Sequence, residues 1–225
     1  MRIAAAVFVV AAMISRSSGR ASARPIPASP ETMIFYALGD STVSGVGARS
    51  GSYADRLFAR LSRAGHRLRE VNLAESGATS SDLIQEQLPR VGPNQKAVAI
   101  VGIGVNDLTS GVGPEVFAKR FDTILVALRS RIAGPIVVSN LPDVSLAPAV
   151  WAAARAPLAA QVDLYNAVIA RVAGRHGIAV YDVCAMTRTT LPSHPEYLSG
   201  DGYHPSDAGY QLWADGLWRI LQPLM

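Results

Sequence analysis

Four separated stretches of this chain carry side chains that can cooperate in acyl chemistry: Gly39-Asp40-Ser41, Ser76-Gly77, Asn106, and Asp201-Gly202-Tyr203-His204. A serine hydroxyl is a weak nucleophile until a base takes its proton, and the usual base is a histidine oriented by a carboxylate. Asp201 and His204 supply both from one segment. Their three-residue offset lets the carboxylate fold back onto the ring nitrogen that faces away from the serine, which fixes the tautomer. Pro205 and Ser206 then open a helix that holds the segment by its downstream end. A tetrahedral intermediate also needs donors at its oxyanion. Gly77, lacking a Cβ, lets its N–H approach a substrate closely. Asn106 offers a side-chain NH₂, and the Ser41 N–H is a third donor. Met singly, each residue has a duller use, as a turn glycine, a turn or N-cap asparagine, or a surface Asp-x-x-His.

These residues are distant in sequence, so only the fold can gather them. The run Phe35-Tyr36-Ala37-Leu38 has strand composition and stops at Gly39, which puts the Ser41 hydroxyl just past the carboxyl end of a strand near residues 32–38. A helix from about Tyr53 to Ala64 follows, with Ala54, Leu57, Phe58 and Leu61 on one face and Gly65 at its end. A second strand near Arg69 to Leu73 leads to Gly77. Ser80-Ser81-Asp82 then caps a helix running to Leu88, stopped by Pro89. The continuous apolar run Ala97 to Val101 reads as a central parallel strand covered on both faces, and Asn106 follows it. A helix from Glu115 to Arg131 carries Phe117, Phe121, Ile124, Leu125 and Leu128 at helical spacing. Ile136 to Val138 is the fourth strand, Leu141 to Ala156 a Pro- and Ala-rich loop, Leu158 to Ala173 a helix ended by Gly174, and Ile178 to Tyr181 the fifth strand. The chain closes with a loop and a helix capped by Ser206, with Trp213, Leu217, Ile220 and Leu221 as its apolar stripe.

Five strand-helix alternations without a hairpin signal ask for a parallel sheet with helices on both faces. The strand-to-helix loops then emerge on one edge, and that edge collects Ser41, Gly77, Asn106, Asp201 and His204.

The 225 residues, 49% of them hydrophobic, suffice for one sizeable core. The N-terminus has the order of an export signal: Arg2, the twelve-residue apolar run Ile3 to Ile14, and the small-residue site Ala21-Ser22-Ala23. The run is too short for a bilayer span, which needs roughly 20 residues. The expectation is therefore a signal peptide over 1–23, a Pro-rich leader over 24–31, a single domain over 32–225, and a mature protein that is secreted or held in the cell envelope without a membrane span. Removing residues 1–23 takes away Arg2, Arg16 and Arg20 and no acid, so the formal charge falls by three, from +4 to +1. No Lys- or Arg-rich run argues for nucleic acid. Cys184 is the lone cysteine and cannot form an intramolecular disulfide, which leaves core packing to hold the fold.

Competing chemistries fit less well. Gly102-Ile103-Gly104 opens like a dinucleotide fingerprint, but Asp107 stands where a third glycine is needed, and its carboxylate would repel pyrophosphate. His66, His176 and His194 form no metal-ligand spacing with any Cys, Asp or Glu, so no metal is expected. Asp143, after the fourth strand on the active edge, could contact substrate, but a turn role fits it better.

With those residues in view, the chain resembles the SGNH, or GDSL-type, serine hydrolases, named for a Ser, a Gly, an Asn and a His in four blocks. The blocks look like Gly39-Asp40-Ser41, Asn72 to Thr79, Gly104-Val105-Asn106-Asp107 and Asp201 to Pro205, in the family's order, and the resemblance covers about residues 32–222. It implies a flavodoxin-like three-layer α/β/α sandwich with a five-stranded parallel sheet. It also implies Ser41 as nucleophile, His204 as base, Asp201 as its orienting acid, and the Ser41 N–H, Gly77 N–H and Asn106 side chain as oxyanion hole. Thr42 departs from the family's name-giving Leu, at a position that flanks the nucleophile.

The resulting expectation is a serine esterase that cleaves short-chain or lipid-like carboxylic esters through an acyl-enzyme, with no cofactor and a small-molecule, lipid or glycan ester as partner. The alternatives are a carbohydrate O-acetylesterase and a silent binder of acylated or glycan ligands. A binder would have no need of Asp201 and His204 together.

Overall fold

The computed structural model describes residues 32–93 and 96–225. The expected signal peptide and leader lie outside the described residues. Five strands, β1 (Met33–Gly39), β2 (Leu68–Asn72), β3 (Ala97–Gly102), β4 (Ile136–Ser139) and β5 (Ala179–Tyr181), form one parallel sheet in the order β2-β1-β3-β4-β5. The helices are α1 (Ser41–Ser44), α2 (Tyr53–Arg63), α3 (Ser80–Asp82), α4 (Val105–Thr109), α5 (Pro114–Arg131), α6 (Ala152–Arg175), α7 (Val183–Thr190) and α8 (Asp207–Leu221). This is the doubly wound α/β/α sandwich of flavodoxin-like strand order. The chain leaves β1 for β2 on one side and returns to β3 on the other, so the sheet's switch point lies between β1 and β3. Open α/β sheets take ligands at the carboxyl ends of the strands beside that point.

Alternation along the central strands divides the core in two. Ile34, Tyr36 and Leu38 of β1 and Ala97, Ala99 and Val101 of β3 pack against Phe117, Phe121, Ile124 and Leu128 of α5 and Tyr165, Ile169 and Val172 of α6. Phe35, Ala37, Val98 and Ile100 face the other way, onto Leu57 and Leu61 of α2 and Trp213, Leu217 and Leu221 of α8. All of these but Trp213 are fully buried, and Trp213 is nearly so. Burying each such aliphatic or aromatic side chain contributes about 1.5–3 kcal/mol. On the second face Trp213 stacks on Tyr53 with ring centroids 4.6 Å apart, and its indole N–H donates to the Ser139 hydroxyl at 2.9 Å. Helix α2 starts at a capping box: Ser52 Oγ accepts from the Ala54 and Asp55 amides, and Asp55 accepts from the Ser52 amide.

Three expectations about the elements are corrected. The helix expected from Ser80 to Leu88 is one α turn followed by a π turn, Leu83–Gln87, and a 3₁₀ turn, Leu88–Arg90. The widened turn carries Gln87 inward, where its amide pairs with the backbone of Gly39. The expected loop through Ala156 ends earlier, because α6 begins at Ala152 and runs past Gly174 to Arg175, with Pro157 inside it. The alanines at 152–154, 156, 159 and 160 are strong helix formers and outweigh the one backbone bond that proline forfeits. Finally, α7 lies where only a loop was expected. Its β-branched threonines give no strong helical signal, and Asp182 starts it by accepting from the Ala185 amide at 2.9 Å.

Candidate active site

The position of Ser41 is set by how β1 ends. Past Gly39 the Asp40 backbone is extended, and its N–H donates to the Gly102 carbonyl at 3.2 Å, carrying the ladder one residue beyond the strand. Asp40 then caps α1: its Oδ1 accepts from the Thr42 amide at 3.0 Å and the Thr42 hydroxyl at 2.9 Å. Ser41 is thus the first residue of a one-turn helix whose start is locked from both sides. Gln87 reinforces the approach, accepting from the Gly39 N–H at 2.9 Å and donating to the Gly39 carbonyl at 2.8 Å. Asp40 is only 2% exposed. Burial pushes its carboxyl up to about 6, against the opposing pull of the Thr42 amide and hydroxyl and of His204.

His204 meets the serine from the start of α8. Its Nε2 lies 2.9 Å from Ser41 Oγ and its Nδ1 2.7 Å from Asp201 Oδ2. A carboxylate at that distance selects the Nδ1–H tautomer and leaves Nε2 to accept the serine proton. The other Asp201 oxygen accepts from the Ser199 hydroxyl at 2.8 Å, the Tyr203 amide at 2.8 Å and the His204 amide at 2.9 Å. Partial burial would raise this carboxyl, but the His204 ring, the two amides and the Ser199 hydroxyl outweigh it and hold the group at about 2. The loop after α1 embraces the same segment. Asp207 accepts from the Arg49 and Ser50 amides and from Arg56, while the Tyr210 hydroxyl donates to the Val46 carbonyl at 2.8 Å. Gly47, at φ 91°, packs so tightly that an added Cβ would stand 2.7 Å from the Pro205 carbonyl and 3.0 Å from His204 Cβ.

The other two expected donors flank Ser41, because β1 lies between β2 and β3. After β2, the Glu75 amide donates to the Gly39 carbonyl at 3.1 Å. Gly77 follows with φ 81°, and an added Cβ would meet nothing within 4 Å. A left-handed backbone, not crowding by the protein, is what calls for glycine there. After β3, Asn106 Nδ2 gives one hydrogen to the Ala78 carbonyl at 2.9 Å, and the amide carries a second.

Every expected site residue therefore lies at this one sheet edge. The other histidines pair elsewhere or stand apart: His176 Nε2 is 2.7 Å from Asp122, and His194 Nδ1 is 2.9 Å from Glu196. Asp143 is a structural residue, holding the Ser145 amide and Arg188. Among the described residues no cluster of three or more His, Cys, Asp or Glu could hold a metal ion. Gln87, Gly47 and the Asp40 cap were missed by sequence reasoning. Only the cap left a signal, an Asp followed two residues on by a Thr at the mouth of a helix.

The model of the GDSL-like lipase/acylhydrolase family matches residues 37–212, a span that includes every one of these side chains. The chain belongs to that family. It is 34% identical over 208 residues to the GDSL-like esterase Rv1075c of Mycobacterium tuberculosis (strain ATCC 25618 / H37Rv), covering 88% of this chain and 64% of that protein's length. Among solved structures it is similar to LAE5, an alpha/beta hydrolase enzyme from the metagenome of Lake Arreo, Spain, with 27% identity, a TM-score of 0.68 and coverage of 86% of this chain and 96% of that one. An acetylxylan esterase from Geobacillus stearothermophilus shares the fold at 20% identity, with a TM-score of 0.69 over 83% of this chain and 93% of its own.

Within the GDSL-like frame the geometry brings together a serine hydroxyl, a histidine with its tautomer fixed by a carboxylate, and polar groups on both sides of the serine. Among the described residues no helix is long and apolar enough to cross a membrane.

Proposed function

We propose that this protein is a serine esterase that cleaves carboxylic esters through an acyl-enzyme. The observation that carries the proposal is the hydrogen-bonded line from Asp201 Oδ2 through the His204 ring to Ser41 Oγ, at 2.7 and 2.9 Å. Ser41 Oγ attacks the ester carbonyl carbon while His204 Nε2 takes its proton. The carbonyl oxygen becomes an oxyanion and turns to the Ser41 and Gly77 N–H groups and the second hydrogen of the Asn106 amide. Collapse expels the alcohol, which leaves with the proton from His204. Water then repeats the sequence on the acyl-serine and regenerates the enzyme. Asp201, charged at any pH above about 2, steadies the imidazolium in both halves.

Short-chain acyl or lipid-like esters are the proposed substrates, and acetylated carbohydrates the alternative. The mature protein is proposed to act outside the cytoplasm. Labelling with a fluorophosphonate, followed by a chain-length series of aryl esters set beside acetylated xylo-oligosaccharides, tests chemistry and substrate together. Fluorophosphonate labelling at Ser41 with turnover of aryl esters supports the proposal. An unlabelled, folded protein with no ester turnover refutes it.

A further inference from the structure

Asp107 follows Asn106, is fully buried, and turns away from its own helix to grip another loop. Its carboxylate accepts the Ser80 backbone N–H at 2.7 Å and the Ser80 hydroxyl at 2.5 Å. Ser80 is itself fully buried, opens α3, and lies three residues after Gly77. The Arg120 guanidinium stands 3.6 Å from the same carboxylate. A buried carboxylate is costly unless its oxygens are occupied, and an apolar side chain would fill this space at lower cost. Burial raises the Asp107 carboxyl, while the Ser80 hydroxyl and amide and the Arg120 charge lower it.

The two loops so joined are those that carry Gly77 and Asn106. They touch again where Asn106 Nδ2 donates to the Ala78 carbonyl at 2.9 Å, so the direction of that amide depends on the spacing between the loops. We propose that Asp107 is a positioning residue for the oxyanion hole: through Ser80 it holds the loop after β2 and the turn of α4 at one separation, so that the Gly77 and Asn106 donors converge on one oxygen. The inference rests on Gly77 and Asn106 being oxyanion donors. A misplacement of about 1 Å in such a constellation can cost roughly 10²-fold in rate.

The test compares Asp107→Ala, Asp107→Asn, Ser80→Ala and Asn106→Ala in the mature protein. Each is measured for kcat and KM on an aryl acetate and for inhibition by an aryl trifluoromethyl ketone, whose serine adduct carries an oxyanion. Asparagine keeps an acceptor for the Ser80 N–H and donates to its hydroxyl, so it preserves the spacing, whereas alanine abolishes it. Asp107→Ala is expected to lower kcat about 10²-fold with KM within about threefold, and to weaken the ketone by a similar factor. Asp107→Asn should stay within about fivefold of the parent, with Ser80→Ala between the two. The inference is overturned if Asp107→Ala only lowers the melting temperature and leaves kcat and ketone affinity unchanged, or if Asp107→Asn falls as far as alanine. Should Asp107→Ala not fold, Ser80→Ala decides: unchanged kcat and ketone affinity overturn the inference. If Asn106→Ala itself keeps full kcat, the oxyanion assignment fails. If Asn106→Ala loses activity while the Asp107 and Ser80 variants do not, only the positioning role falls.

Discussion

Asp40→Asn is expected to make the protein more stable at neutral pH and slower as an enzyme. The Asp40 carboxyl is pushed by burial from 3.8 to about 6, a rise of about two units, or about 3 kcal/mol at 1.36 kcal/mol per unit. The folded state thus holds this proton more tightly than the unfolded chain does. The group's contribution to stability is fully present below about pH 4, is lost as pH rises through about 6, and stays lost above that. Asparagine resembles the protonated acid in size, keeps an oxygen for the Thr42 amide and hydroxyl, and carries no charge at any pH. Urea unfolding at pH 8 should therefore show the variant more stable by up to about 3 kcal/mol, with the difference shrinking towards zero near pH 4 and the m-value unchanged. The Asp40 charge also attracts the His204 imidazolium, since that ring in turn pulls the carboxyl down. Its loss is expected to lower kcat about tenfold, as for a modest change in charge stabilisation. A stability difference that is equal at pH 4 and pH 8, or of opposite sign, would overturn this expectation, because it would mean that the buried carboxylate is fully compensated in the fold.

Ser41→Ala and His204→Ala should each abolish ester turnover with circular dichroism unchanged, and Ser41→Ala should also lose fluorophosphonate labelling; labelling at another serine in an active Ser41→Ala protein would overturn the assignment. Asp201→Asn should lower kcat by up to about 10⁴-fold, as in other triads, because the wrong His204 tautomer becomes available. That carboxyl is held down at about 2, so its support for the fold is present above about pH 4 and is lost as pH falls towards 2, a dependence the asparagine variant should lack in acid titration. Gly47→Ala places a Cβ 3.0 Å from His204 Cβ on a left-handed backbone, so kcat should fall and the protein should be destabilised by about 1–3 kcal/mol, as read by urea unfolding. N-terminal sequencing of protein from its native host should begin at Arg24, and a chain that keeps Met1 and fractionates with membranes would contradict the proposed export.

The strands and core faces were legible because they follow from local pattern, whereas the flavodoxin-like arrangement was implied only by the family resemblance. The apolar run Ala97 to Val101 has the pattern of a strand covered on both sides, and the stripe of α5 needs an apolar layer to face. The Ser41, Asp201 and His204 positions were legible for a related reason: a doubly wound sheet sends strand ends to one edge, whatever the sequence separation. What stayed hidden is the set of contacts between loops. Gln87 looks like the polar face of an ordinary helix until a π turn swings it onto Gly39, and nothing within residues 80–88 specifies that turn. Gly47 reads as one glycine among several in a short loop, and its left-handed backbone and the approach of Pro205, Ser199 and His204 are what make its missing Cβ necessary. Asp107 was read for what it excludes, a bound pyrophosphate, while its partner Ser80 was assigned to capping its own helix. In the structure that cap is Thr79, and Ser80 is left to face the next loop. Groups that perform a chemical step belong to types that chemistry restricts, so they stand out in a sequence. Groups that hold those residues at the right separation act through pairs fixed by tertiary contact, and no single position in the chain betrays them.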